Sequence, residues 1–193
     1  MKGLTVIILV LLAGFGMFGC GKYNGFVTLD QNVQSKWSQV ENQYQRRMDL
    51  IGNLVNTVKG AGKFESETLQ KVIEARASAT QVKVDPTKLT PEAIAQFQKS
   101  QDGLSSALGR LLVVNEQYPN LQATAQYKDL AAELAGTENR CAVARKDFND
   151  AVQSYDTQTK YFPGNIFAGM FGFHEKGYFK SAAGADKAPE VKF

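Results

Sequence analysis

The chain has little of the residues that build metal sites and disulfide frameworks. Of its 193 residues, one is histidine, His174, and two are cysteine, Cys20 and Cys141. A single histidine excludes a histidine-based metal cluster and the paired Glu-x-x-His arrangement of di-iron bundles. Cys20 lies in an apolar N-terminal segment and Cys141 on an apolar helix face, so no structural disulfide is predicted. We expect no metal and no other cofactor.

The chain also lacks a strong excess of charge. Its net charge is +3, and its 22 lysines and arginines are scattered along the sequence. A nucleic-acid-binding surface needs such residues clustered, so nucleic acid is not an expected partner. The apolar fraction of 44% and the charged fraction of 21% are typical of a globular protein.

The N-terminal segment, residues 1–22, carries a lysine near each end and no charge between them. As a helix the uncharged residues 3–21 would be about 28 Å long, enough to cross the hydrocarbon core of a bilayer. It is interpreted first as an uncleaved transmembrane anchor. A second interpretation is a lipoprotein signal with Cys20 acylated, which Gly19 favours and the bulky Met17 and Phe18 do not. A third is an ordinary cleaved signal peptide.

The flanking charges do not determine the orientation of this segment, because there is one lysine on each side. Gly19-Cys20 resembles a processing site. We therefore expect a single-pass or lipid-anchored protein whose remaining residues lie on the extracytoplasmic side of the membrane.

The stretch from Trp37 to Val58 predicts a core-facing helix. Its apolar residues recur every three or four positions: Trp37, Val40, Tyr44, Met48, Ile51, Leu54, Val55 and Val58. Such spacing places them on one side of an α-helix, which turns about 100° per residue. The same spacing extends back to Leu29, so the N-terminal segment is expected to run into this helix with little interruption.

Three more amphipathic helices are predicted, over about residues 65–82, 91–118 and 120–161. Breaks are expected near Gly60 to Gly62, at residues 84–90 and at Pro119. The fold class is therefore all-α, an elongated antiparallel four-helix bundle over residues 23–161 that follows the N-terminal anchor helix. The side chains expected to be largely buried are Trp37, Tyr44, Ile51, Leu111, Leu134 and Phe148.

Four charged residues fall on the apolar faces of these helices, namely Arg47, Arg76, Glu138 and Arg145. One interpretation is that the long arginines reach from the edge of the stripe to water. The other is a buried ion network in which Glu138 pairs with at least one arginine and fixes the helix register. A catalytic role for Glu138 is not supported, because no nucleophile, metal cluster or phosphate-binding glycine loop accompanies it.

Residues 162–180 are rich in aromatics and contain glycines and Pro163, which are incompatible with a long helix. These rings either cover the end of the bundle or form an apolar surface for lipid or another subunit. The residues predicted for such a surface are Phe167, Phe171, Phe173, Tyr178 and Phe179. Residues 181–193 are expected to be a mobile tail.

The chain resembles the LemA family over nearly its whole length. The matching positions are Tyr23-Asn24, Trp37, Val40-Glu41-Asn42, Arg46-Arg47, Asp49-Leu50-Ile51, Asn53-Leu54, Tyr118-Pro119-Asn120-Leu121, Gly136-Thr137-Glu138-Asn139-Arg140, Phe148-Asn149, Phe162-Pro163 and Gly172-Phe173. One departure is Gly52, where the family usually has proline. Glycine there would only weaken the helix, by about 1 kcal/mol relative to alanine.

The resemblance implies a membrane-attached, elongated helical bundle of bacterial origin, in a family that includes a magnetosome-membrane branch and has no established enzymatic activity. Two functions are compatible with it. The chain is either a non-enzymatic scaffold that self-associates or holds partners at a membrane, or an adaptor or regulator of another membrane protein such as a peptidase. The expected partners are membrane lipid, a second copy of the chain, or a membrane protein.

Overall fold

The computed structural model describes residues 2–60, 66–115, 118 and 124–181. The helices are α1 (Lys2–Gly60), α2 (Ser66–Gln81), α3 (Pro91–Asn115), α4 (Ala125–Lys160) and α5 (Gly164–Phe171). No strand occurs in these described ranges. The prediction of an all-α bundle is therefore confirmed.

Helix α1 is the longest element and runs without interruption from Lys2 to Gly60. At 1.5 Å per residue it is about 88 Å long. The predicted continuity between the N-terminal segment and the first bundle helix is confirmed. However, no helix in the described part of the chain has a stretch both long and apolar enough to cross a membrane. The predicted transmembrane anchor is therefore not confirmed.

The ends of the helices follow local capping chemistry. The Thr90 hydroxyl accepts a hydrogen bond from the Ala93 amide at 3.3 Å, and Pro91 occupies the first helical position of α3, as its fixed φ angle favours. Helix α4 begins later than the predicted residue 120, because Thr124 is its N-cap. The predicted break at residues 84–90 is present, whereas Pro119 and residues 61–65 lie outside the described residues.

The order of the side-chain contacts gives the helix directions. Lys36 of α1 pairs with Asp147 of α4 at 3.6 Å, and Arg46 pairs with Glu133. Residue numbers thus rise along α1 while they fall along α4, so these two helices are antiparallel. Helix α3 runs parallel to α1, because Trp37 meets Phe97 whereas Arg47, further along α1, meets Ser105.

The interior contains two clusters, which we call the aromatic core and the aliphatic core. The aromatic core includes Trp37, Tyr44, Phe97, Phe148, Tyr155 and Phe179. The aliphatic core includes Ile51, Leu54, Val58, Val72, Leu104, Leu111 and Leu134. All six side chains predicted to be buried are at most 6% exposed, so the assignment of inward faces from the helical spacing is confirmed.

Candidate functional site

A layer of polar side chains separates the two cores. Each of three helices contributes one residue at the boundary between the cores: Arg47 from α1, Gln101 from α3 and Glu138 from α4. On α1, Arg47 lies between Tyr44 of the aromatic core and Met48 of the aliphatic core. The Arg47 side chain is only 5% exposed. Its Nη2 donates to the Ser105 hydroxyl at 2.7 Å and lies 3.0 Å from Glu138 Oε2. The predicted ion pair of Glu138 is therefore present.

The environment of Glu138 differs from the prediction. Its side chain is 47% exposed, so only the arginine of the pair is excluded from water. Arg145 reaches the other carboxylate oxygen at 3.9 Å and is 27% exposed. Because water screens Glu138, removal of one partner should cost less than it would in a fully buried pair.

Arg76 does not belong to this network. Its Nε donates to the Met48 backbone carbonyl at 2.9 Å. Its guanidinium lies over Gly52, where an added Cβ would be 3.2 Å from Nη2. The prediction grouped Arg76 with Glu138 because both fall on inner helix faces. In the structure α2 brings Arg76 to α1 at Met48 and Gly52, while Glu138 approaches α1 from α4 at Arg47.

The polar layer has little nucleophilic character. Cys141 borders it and is fully buried, and burial raises the pKa of its thiol to about 11. Burial likewise raises the pKa of Tyr44 to about 12. Both groups are therefore neutral at physiological pH, and a neutral thiol is a poor nucleophile. Cys20, the candidate acylation site, is a free and exposed cysteine.

Gln101 is the most unusual member of the layer. It is 1% exposed, and neither polar atom of its side-chain amide has a hydrogen-bond partner among the described residues. A buried amide without partners costs free energy. Gln101 and Arg47 are thus buried polar side chains that separate the aromatic core from the aliphatic core. Within the described residues, no group of three or more His, Cys, Asp or Glu side chains could hold a metal ion.

The C-terminal strap, residues 173–181, is an extended segment that crosses the end of the bundle and is held by two side-chain amides. Asn149 of α4 donates to the Phe179 carbonyl and accepts from the Phe179 amide, both at 2.9 Å. Gln98 of α3 does the same with Lys180, at 2.8 and 3.0 Å. These contacts replace the backbone partner that an extended strand would otherwise need.

The middle of the strap fits closely against the start of α3. The Gly177 amide donates to the Leu89 carbonyl at 2.8 Å. A Cβ at Gly177 would lie 2.7 Å from the Thr90 carbonyl oxygen, so only glycine fits there without a shift. The neighbouring Lys176 is buried, lies 2.6 Å from Asp30, and sits over the Tyr155 ring at 5.4 Å. The strap is therefore part of the folded core.

The five aromatic residues predicted for a contact surface have different environments. Phe179 is 6% exposed and packs in the aromatic core, with its ring 6.1 Å from Trp37. Phe167 is 3% exposed and packs on Phe15 of α1. These two cannot contact a partner, and the prediction is wrong for them. Phe173 is half-buried, and Tyr178 and Phe171 are 36% and 41% exposed.

An apolar surface does occur where α5 meets the N-terminal part of α1. Helix α5 contains no charged residue, and its Ile166 and Met170 are 49% and 65% exposed. Phe162, just before α5, is 80% exposed. The side chains of α1 that continue this surface are Val6, Ile7, Leu9, Val10, Phe15, Met17 and Phe18, each at least half exposed.

Sequence reasoning did not identify the residues that hold the strap. These residues lie on helix faces or in a loop, where polar side chains are common and give no signal of a special role: Asn149, Gln98, Asp30 and Lys176. The available signal was weak: Asn149 follows the buried Phe148, and Phe148-Asn149 is one of the positions that match the LemA family.

The comparisons with known proteins identify the family. The LemA family model matches residues 36–193. The chain belongs to the LemA family. Its relatives include the magnetosome proteins MamQ 1 and MamQ 2 of Paramagnetospirillum magneticum, each 30% identical and aligned over 86% of this chain and 67% of the relative. Another is the protein LemA of Metamycoplasma hominis, 24% identical over 94% of this chain and 80% of the relative.

Proposed function

We propose that this LemA-family protein is a membrane-attached, non-enzymatic scaffold that holds partners, including further copies of itself, at a bilayer. The observation that carries the proposal is the exposed apolar part of α1. Val6, Ile7, Leu9 and Val10 are 58% to 65% exposed and project from a helix that continues into the bundle. In water such a surface is unfavourable, and lipid is the environment that would cover it.

The interior supports a structural role rather than a catalytic one. The buried guanidinium of Arg47 on α1 pairs with the half-exposed Glu138 on α4, an arrangement suited to fixing helix register. The thiol beside it is held neutral by burial. The magnetosome relatives are named for an organelle rather than for a reaction. These observations favour a protein that acts through its surfaces.

Flotation with lipid vesicles tests the membrane attachment. The full chain should float with vesicles, and Leu9→Asp with Val10→Asp should abolish most of the binding, because each aspartate disfavours transfer into lipid by about 3 kcal/mol. Val113→Asp on α3 is the matched control, since Val113 is also 65% exposed. Equal binding by all three proteins would refute attachment through α1.

Chemical cross-linking on the same vesicles tests the scaffold role. A scaffold should give dimers and larger products at low protein-to-lipid ratios. A chain that stays monomeric on vesicles and co-purifies with another membrane protein would instead favour the adaptor or regulator.

A further inference from the structure

Helix α5 packs against α1 at one level along the axis of α1. Phe167 packs on Phe15 and Phe18, with ring centroids 5.1 and 5.7 Å apart, and it would touch a Cβ at Gly19 at 3.1 Å. Phe171 packs edge-on against Tyr23 at 5.2 Å. Helix α5 therefore lies beside residues 15–23 of α1, at the junction between the apolar N-terminal part and the polar bundle.

The exposed face of α5 carries no charge: Ile166 and Met170 lie on it beside a single polar side chain, Asn165. Its inner residues, Phe167 and Ala168, are buried, whereas Ile166 and Met170 on the other side are among the more exposed apolar side chains of the bundle end. A short surface helix of a soluble protein normally places charged or polar residues outward. This face is therefore uncharged and mostly apolar, which is unusual for a helix that faces water.

An apolar groove on α1 adjoins the α5 contact through Phe18, which packs on Phe167 and also lines the groove. It has a volume of about 690 Å³ and lies between α1 and Gln158 of α4. Gly21 and Gly25 form its floor, and Cβ atoms there would meet nothing within 4 Å. Met17 and Phe26 are among its walls, and Lys22 stands at its side with its ammonium 5.7 Å from the Phe18 ring. Apolar walls with an adjacent lysine suit acyl chains below a phosphate headgroup.

We propose that the outer face of α5, with the adjoining groove on α1, docks into the headgroup–acyl boundary of a lipid bilayer. The inference rests on the proposed function, because it takes the apolar part of α1 as the membrane-attached segment. Since α5 is fixed to α1 at the end of that segment, attachment of α1 brings Ile166, Met170 and Phe162 to the bilayer surface. Helix α5 then acts as a second contact that sets how far α1 enters the lipid.

An environment-sensitive fluorophore on single cysteines tests this placement. Met170→Cys, Leu9→Cys and Val143→Cys are each made in the full chain with Cys20→Ser, and Cys141 stays unlabelled because it is fully buried. Val143 on α4 is the control, because it is 60% exposed but lies among polar groups. The probes are phosphatidylcholine vesicles with and without phosphatidylglycerol, and brominated lipids as quenchers.

We expect the labels at positions 170 and 9 to shift to the blue and to be quenched by brominated lipid, and the label at 143 to be unaffected. Quenching at position 9 without quenching at 170 would overturn this inference and leave α1 attachment standing. No quenching at either position would refute both. A blue shift at 170 without lipid, growing with protein concentration, would assign the face to a second copy and overturn the inference.

Binding measurements give a second test. In the full chain, Ile166→Asp with Met170→Asp should weaken vesicle binding by about tenfold or more, because each side chain loses its apolar contact with lipid. Val143→Asp should leave binding unchanged. If the α5 variant binds as tightly as the unchanged chain, α5 is not a lipid contact.

Discussion

The aromatic core and the aliphatic core share α1, α3 and α4, but they are closed in different ways. The buried members of the aliphatic core all come from helices α1 to α4. The aromatic core also contains Phe179, which the C-terminal strap inserts between Trp37, Phe97 and Phe148. Among the described residues, the buried members of the aliphatic core are thus all helical, whereas the aromatic core needs a segment that follows the last helix.

The comparison shows that two equally buried cores can depend on contacts between residues at very different separations in the sequence. Around the aliphatic core, Arg76 of α2 reaches Met48 of α1, the helix just before it. Around the aromatic core, Lys176 reaches back to Asp30 across almost the whole chain. Loss of the strap should therefore open the aromatic core first, and the effects below are ordered by expected size.

Removal of the strap's aromatic side chain should have the largest effect. Phe179→Ala should lower the free energy of unfolding by about 3 to 5 kcal/mol, since it leaves a cavity beside three rings. Trp37 is the single tryptophan and stacks on Phe179, so its emission should shift to the red. Urea unfolding followed by Trp37 fluorescence measures both. Phe162→Ala is the control, because Phe162 is 80% exposed, and equal effects of the two variants would contradict a core role for the strap.

Alkaline pH should weaken the aromatic core. Burial raises the pKa of the Cys141 thiol to about 11, against 9.0 for an unburied thiol, so folding favours the neutral form. The contribution of Cys141 to the free energy of unfolding should be constant below about pH 9 and should fall by about 1.4 kcal/mol per pH unit from about 9 to 11, because the unfolded thiol ionises first. Tyr44, with a pKa raised to about 12, adds a similar loss above about pH 10.

Urea unfolding of the unchanged chain and of Cys141→Ala, at pH values from neutral to about 11, measures this loss. The variant should start less stable but lose less between about pH 9 and 11. If both proteins lose stability in parallel, the buried thiol is not responsible.

Two glycines have opposite surroundings: Gly177 of the strap lies in a close contact, whereas Gly103 of α3 faces open space. Gly177→Ala should destabilise the protein by about 1 to 3 kcal/mol, because its Cβ would meet the Thr90 backbone oxygen. Gly103→Ala on α3 should stabilise it by about 0.5 to 1 kcal/mol, since nothing lies within 4 Å and alanine favours the helix. Thermal unfolding followed by circular dichroism gives both. A gain for both variants would show that the strap does not pack closely on α3.

The polar layer should give the smallest effect. Glu138→Gln should cost about 1 to 2 kcal/mol, because Arg47 is buried and loses its counter-charge while Glu138 itself is half exposed. Glu133→Gln, in the neighbouring exposed pair with Arg46, should cost about 0 to 1 kcal/mol. Chemical denaturation compares them. In an Arg47→Met background, Glu138→Gln should be nearly neutral, and a full cost there would show that the pair is not coupled.

The helical spacing of apolar residues was sufficient to predict the fold. Trp37, Ile51 and Phe148 are buried as predicted, because the period of 3.6 residues places them on inner faces in any bundle. The site was predicted only in part. A helical wheel places Arg47, Arg76 and Glu138 on inner faces, but it does not say which neighbouring helix each one meets.

The strap could not be predicted from its residues. Its sequence has no periodicity. Asn149 and Gln98 bind its backbone, and because every residue type has the same backbone groups, the sequence does not show where such contacts form. The sequence also did not show which side chains of α5 are exposed. Phe167 and Phe171 are the same residue type, and only their packing on α1 makes the first buried and the second exposed.

Helix α1 also has a mechanical consequence, because it has no joint between its N-terminal end and the aliphatic core. A rod of about 88 Å that tilts by about 10° displaces its far end by about 15 Å. A small change in the angle at which the N-terminal end is held, for instance by a second contact beside residues 15–23, is thereby amplified at the opposite tip.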